Sequence, residues 1–163
     1  MGLIKIGRVI RQHGVRGGMK IKSDFKYKKD AFKVGNVLKI NNRDYKLTAY
    51  SFAGGGQLDI AYLEGINTID DVIKIKQNDI YIDKSILHTN EILDEELLGM
   101  DVYLNNDLLG TVTDINTGIN PLIIINKDGK NIYIPRQKEY INNIDVDNNR
   151  IDVSENVGGM LWK

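Results

Sequence analysis

Apolar and β-branched residues recur along this chain in short runs with the spacing of strands rather than of long helices. In the first half they fall at Leu3–Ile10, Met19–Lys22, Val37–Ile40, Tyr45–Ser51, Gln57–Leu63 and Ile80–Ile82. In the second half they fall at Met100–Leu104, Leu109–Ile115, Leu122–Ile125, Ile132–Ile134, Ile144–Val146 and Ile151–Val153. Asn41-Asn42, Gly54-Gly55-Gly56, Asn105-Asn106, Asp128-Gly129 and Asn148-Asn149 stand between runs and supply or tolerate the positive φ of tight hairpins. Alternation over Gln57–Leu63 puts Leu58, Ile60 and Tyr62 on one face. The pattern predicts an all-β fold of hairpins closing into barrels or a sandwich.

Two stretches read as helical. Thr68 can cap a turn with Asp71 three residues on, and Ile69, Val72 and Ile73 then share one face. The other is a turn near Asp94–Leu98. The periodic pattern lapses after Asp83, which predicts a domain over residues 1–83, a linker over 84–93 and a second domain over 94–163.

Charge sharpens this division. The chain has 163 residues and no net charge, yet residues 1–85 carry 16 Lys/Arg against 9 Asp/Glu and residues 86–163 carry 6 against 13, giving +7 and −7. Residues 1–46 alone reach 13 against 3, a local field that attracts phosphate backbones, unless the lysines simply solvate an exposed face. With no cysteine, disulfides, thiolate metal sites and a thiol nucleophile are excluded. The two histidines, His13 and His88, have no metal-ligand spacing, and no phosphate-loop or serine-hydrolase motif is present, so neither a metal, a cofactor nor an enzymatic activity is expected. No apolar run approaches the roughly 20 residues of a membrane span, and the start lacks a signal-peptide pattern, which predicts a cytoplasmic protein without a membrane partner.

The most distinctive segment runs from Gly7 to Ile21. A strand carries Arg8 and Arg11 into a turn rich in glycine, with Gly14 and Gly17 for turn geometry and His13 and Arg16 beside them. A second strand leaves through Lys20. The candidate RNA-binding residues are therefore Arg8, Arg11, His13, Arg16 and Lys20, with Lys26, Lys28 and Lys29 added because Phe25 and Tyr27 interleave with them and could stack on unpaired bases. The local alternative is a hairpin that uses glycine for geometry alone. The acidic pairs Asp70-Asp71 and Glu95-Glu96 lie at helix starts, where capping is the expected role.

In order, Gly7, Val9, His13, Gly14, Val15, Arg16, Gly17, Met19, Lys20 and Ile21 resemble the opening signature of the RimM family, bacterial ribosome maturation factors that assist 16S rRNA processing. Leu63-Glu64-Gly65-Ile66 and Asp79-Ile80-Tyr81-Ile82 resemble the end of that family's first domain. Leu97-Leu98-Gly99, Leu109-Gly110-Thr111-Val112, Thr117-Gly118-Ile119-Asn120 and Ile134-Pro135 resemble its second, a PRC barrel.

The resemblance implies a six-stranded N-terminal barrel, a PRC barrel and a non-enzymatic assembly factor, and a monomer is expected. Its implied partners are the head of the immature small ribosomal subunit, 16S rRNA and the nineteenth small-subunit ribosomal protein. It places a protein contact at Ile92 and Leu93, where the family commonly carries two adjacent aromatics, and the acidic balance after Ser85 adds Asp94, Glu95 and Glu96 beside them. An aliphatic pair buries area without stacking or a hydroxyl, so core packing is the alternative there. A protein-only PRC-type scaffold and a β-barrel module of an enzyme are the rival readings of the whole chain.

Overall fold

Hairpin geometry decides how the first half closes. A computed structural model describes residues 2–116 and 119–160, in two units, Met1–Asn90 and Glu91–Lys163. In the first, β1 (Leu3–His13), β2 (Gly18–Lys22), β3 (Val37–Ile40), β4 (Arg43–Ser51), β5 (Asp59–Leu63) and β6 (Asp79–Asp83) form a closed barrel of order β1-β2-β5-β4-β3-β6. The six pairings are all antiparallel. The β3–β4 connection is the two-residue turn Asn41-Asn42 with φ of 51° and 63°, a handedness that matches strand twist and suits asparagine. Val9, Met19, Leu38, Ile40, Leu47 and Ile80 fill the interior.

Helices α1 (Lys28–Ala31) and α2 (Ile69–Ile73) lie at opposite ends of this barrel, since they follow the antiparallel neighbours β2 and β5 respectively. Thr68 Oγ1 accepts the Asp71 amide at 3.1 Å while the Asp71 carboxylate accepts the Thr68 amide, the reciprocal cap expected from the sequence. α1 lies outside the expected helices, because Tyr27 at its N-cap makes no side-chain cap that the sequence could signal. The stretch predicted as linker opens with a 3₁₀ turn, Lys84–Leu87, that packs against α1.

The alternation in β5 is opposite to the one its large residues suggest. Asp59, Ala61 and Leu63 are buried, whereas Ile60 and Tyr62 lie half-exposed on the outer face with Leu58 before them. An inward aspartate is tolerated because its charge is fully bonded, as described below.

The second unit contains α3 (Asp94–Leu97) and six strands: β7 (Asp101–Leu104), β8 (Asp107–Asn116), β9 (Leu122–Lys127), β10 (Lys130–Pro135), β11 (Ile141–Asp145) and β12 (Arg150–Val153). Their order is β10-β9-β8-β7-β12-β11, and β12 runs parallel to β7. Positive-φ pairs again make two-residue turns, Asn105-Asn106 and Asp128-Gly129. Leu97, Met100, Val102, Ile125 and Ile151 lie in the core of this unit. Of the turn at Thr117-Gly118-Ile119-Asn120, Thr117 and Gly118 lie outside the described residues. No described helix is long and apolar enough to cross a membrane.

Candidate nucleic-acid interface

Simple alternation would send Arg8 and Arg11 to opposite faces of β1. A register shift between Val9 and Arg11 inserts an extra residue and resets the pleat. Val9 then faces Ile21 in the core, while Arg8 stands opposite Lys22 and Arg11 opposite Lys20 on the outside. Like charges directly opposed across antiparallel strands repel. The Arg8 Nε donates to the Gln77 carbonyl at 3.1 Å, which orients that guanidinium without neutralising it. Among the described residues no ion pair reaches Arg11, Lys20 or Lys22, so this four-residue cationic ladder keeps its charge for solvent or a ligand.

The turn beyond the ladder depends on its glycines unequally. Gly14 and Gly17 have φ of 69° and 87°. A Cβ at Gly14 meets nothing, but at Gly17 it would come within 2.1 Å of the Ile66 carbonyl oxygen. Gly17 therefore seats the turn against the loop before α2, with Arg16 exposed beside it and His13 half-buried opposite Gly18. Ile66 also lines a surface cavity of about 350 Å³ together with Arg43, Tyr45 and Lys74. These three residues had escaped the sequence reading, since only the fold brings them to the same end of the barrel as Arg16.

The lysines after β2 separate. Lys29 is exposed, and Lys26 is exposed with its ammonium 5.3 Å from the Tyr27 ring centroid. Lys28 is different: its ammonium lies 2.5 Å from the buried Asp59 carboxylate. Asp59 also accepts the Tyr50 hydroxyl at 2.6 Å and the Ala53 amide at 2.8 Å. Burial raises the Asp59 carboxyl, but the bonds from Lys28, Tyr50 and Ala53 outweigh it and hold the group below the usual range. Burial, then the bond to Asp59, pushes the Tyr50 phenol up. Lys28 is thus engaged in an ion pair with Asp59, whereas Lys29 stands exposed.

The segment Ile92 to Glu96 is similarly occupied. Leu93 is 3% exposed, and Ile92 is partly buried against the second core. Asp94 pairs with Arg136, which also donates to the Ile92 carbonyl at 2.9 Å. Burial lowers the Arg136 guanidinium from its ordinary value, with Glu91 opposing. Glu96 accepts the Leu93 amide at 2.7 Å. Among the described residues, Glu95, half-buried, makes no such bond.

The arrangement defines a two-unit β-protein whose first barrel displays unneutralised cations on one hairpin. The model of the RimM N-terminal domain matches residues 4–87, and that of the RimM PRC barrel domain matches residues 94–158. The chain belongs to the RimM family. Proteins named ribosome maturation factor RimM from Staphylococcus aureus strains MRSA252 and JH9 are each 29% identical over 159 residues, covering 93% of this chain and 95% of the relative. A Pseudomonas aeruginosa structure described as a 16S ribosomal RNA processing protein RimM is 20% identical, covers 94% of this chain and 97% of its own, and gives a TM-score of 0.46.

Proposed function

We propose that this protein is a cytoplasmic, non-enzymatic assembly factor that binds the head of the immature small ribosomal subunit and promotes 16S rRNA processing. Residues 1–83 meet rRNA, 84–93 link, and 94–163 meet the nineteenth small-subunit ribosomal protein. Family membership supports the ribosomal role. The observation that carries the RNA contact is the ladder of Arg8 facing Lys22 and Arg11 facing Lys20. Such opposed cations are relieved by a polyanion, and each neutralised phosphate releases condensed counterion.

The test is the salt dependence of binding to precursor small subunits. Replacing Arg11, Arg16 and Lys20 together by glutamine is expected to flatten the slope of log affinity against log salt by up to about one unit per lost phosphate contact. A wild-type slope and affinity in that variant would remove the ladder from the RNA interface and favour a protein-only scaffold.

A further inference from the structure

We propose that the barrel end bearing α1, opposite the Gly14–Gly17 turn, carries a stacking platform for one unpaired base of single-stranded RNA, formed by Phe52 and fixed by the buried Asp59. This rests on the RNA reading above and adds a second, chemically different contact to it. Phe52 follows β4 directly and is 46% exposed, although a ring of that size ordinarily contributes to a core. Its centroid lies 4.7 Å from that of Tyr50, tilted by 60°, and Tyr50 in turn stacks on buried Phe32 at 4.4 Å. Phe52 is therefore supported from below while much of its surface stays open.

The Asp59 network explains how an exposed ring is held in place. Two of the groups bonded to this carboxylate, the Tyr50 hydroxyl and the Ala53 amide, belong to residues on either side of Phe52 in sequence. The third, the Lys28 ammonium, stands 5.9 Å from the Phe52 centroid. Burying a carboxylate is costly unless it is bonded in this way, and here the bonds fix a loop carrying an exposed aromatic.

The adjoining loop leaves room for a ligand. A Cβ at Gly54 would meet nothing within 4 Å, and its φ is not positive, so neither packing nor backbone conformation within the chain requires glycine there. Gly55 and Gly56 have positive φ and equally open surroundings. A bare, uncrowded backbone beside an exposed ring suits a planar group stacked on that ring. With Lys28 paired to Asp59, the neighbouring segment still carries Lys22, Lys26, Lys29 and Lys33 against Asp24 and Asp30, which favours a partner that is both aromatic and anionic. An unpaired nucleotide has both properties, and aromatic platforms next to cations are how proteins hold single strands.

The experiment uses the full chain and a short unstructured RNA containing 2-aminopurine, with a fully paired duplex of the same sequence as reference. Phe52→Leu keeps an apolar side chain and removes the ring, whereas Phe52→Trp keeps a ring. Phe52→Leu is expected to weaken binding to the single strand by about tenfold at unchanged salt slope, leaving the duplex unaffected. Phe52→Trp is expected to retain affinity and to show indole quenching by the single strand. Wild-type affinity of Phe52→Leu for the single strand overturns the platform, as does equal loss on strand and duplex. If the Arg11, Arg16 and Lys20 glutamine variant flattens the salt slope while Phe52→Leu binds normally, the RNA reading stands and the platform alone falls. If wild-type protein binds neither RNA, the platform falls, and the RNA reading is decided separately by the salt dependence of binding to precursor subunits. If Phe52→Leu keeps RNA affinity and loses a ribosomal protein instead, the ring is a protein contact and the inference is wrong.

Discussion

The two units dispose of their charge in opposite ways. On the β1–β2 hairpin of the first, Arg8 faces Lys22 and Arg11 faces Lys20, leaving cation opposite cation. At the opening of the second, Asp94 is neutralised by Arg136 and Glu96 is spent on the Leu93 amide. Net charges of +7 and −7 look symmetrical from the sequence, but opposed cations make a surface that a ligand stabilises, whereas paired acids make a fold. A charge count identifies a candidate partner, and only the register decides which charges remain to meet it.

The largest expected effect tests whether the cationic turn is held rigidly. Gly17→Val combines a φ of 87° with an approach of 2.1 Å to the Ile66 carbonyl, and is expected to cost the first unit about 3 kcal/mol or more. Gly14→Val meets no neighbour and should cost only the left-handed strain, about 1–2 kcal/mol. Denaturant unfolding of both variants measures the difference. Equal losses would mean that the turn is not seated on Ile66.

Next comes the charge each unit does use internally. Asp59→Ala leaves Lys28 and Tyr50 without their partner and is expected to destabilise the first unit by about 3 kcal/mol, the lower end for a broken buried pair because the lysine can turn to solvent. Arg136→Ala breaks a half-exposed pair and should cost the second unit about 1 kcal/mol. If Arg136→Ala proves the more damaging, the second unit depends on internal charge more than the first and the contrast reverses.

Legibility followed the same division. The hairpin turns could be read because Asn-Asn and Asp-Gly pairs carry their conformational preference locally, and so could the Thr68–Asp71 cap, whose partners are three residues apart. The all-β class followed from the resulting strand lengths. What escaped was non-local. The register shift that turns Arg11 outward leaves no mark in composition, and Asp59 hid an inward face because its partners Lys28 and Tyr50 are 31 and 9 residues away by the numbering. The sequence groups Lys26, Lys28 and Lys29 as RNA-binding candidates and carries no sign that a carboxylate 31 positions from Lys28 pairs with it.

A smaller, pH-dependent effect separates the units further. The Asp59 carboxyl is lowered in the folded state, so its contribution is present above the unfolded value of about 4 and is lost as pH falls through the folded value. The Tyr50 phenol is raised, so its contribution is present below the unfolded value of about 10 and is lost as pH climbs beyond it. The first unit's network should therefore be intact between these limits and weaken on both sides. Asp59→Asn should flatten the acid limb, and an unchanged acid limb in that variant would assign the acid sensitivity to other carboxylates.

The smallest expected change in stability falls on Glu95. Asp94 and Glu96 are occupied, so reversing either to lysine would disturb α3 and confuse partner binding with folding. Among the described residues Glu95 makes no such bond, and Glu95→Lys is expected to cost less than about 1 kcal/mol, since it reverses only a charge in the first turn of α3. If the second unit meets a basic ribosomal protein through this segment, the same substitution should slow association, most visibly at low salt where complementary charge steers encounter. Stopped-flow association at two salt concentrations measures it. An unchanged rate at low salt would leave the opening of the second unit with a purely structural role, and the acidic field would have to act through its outlying carboxylates such as Asp107 and Asp147, both exposed.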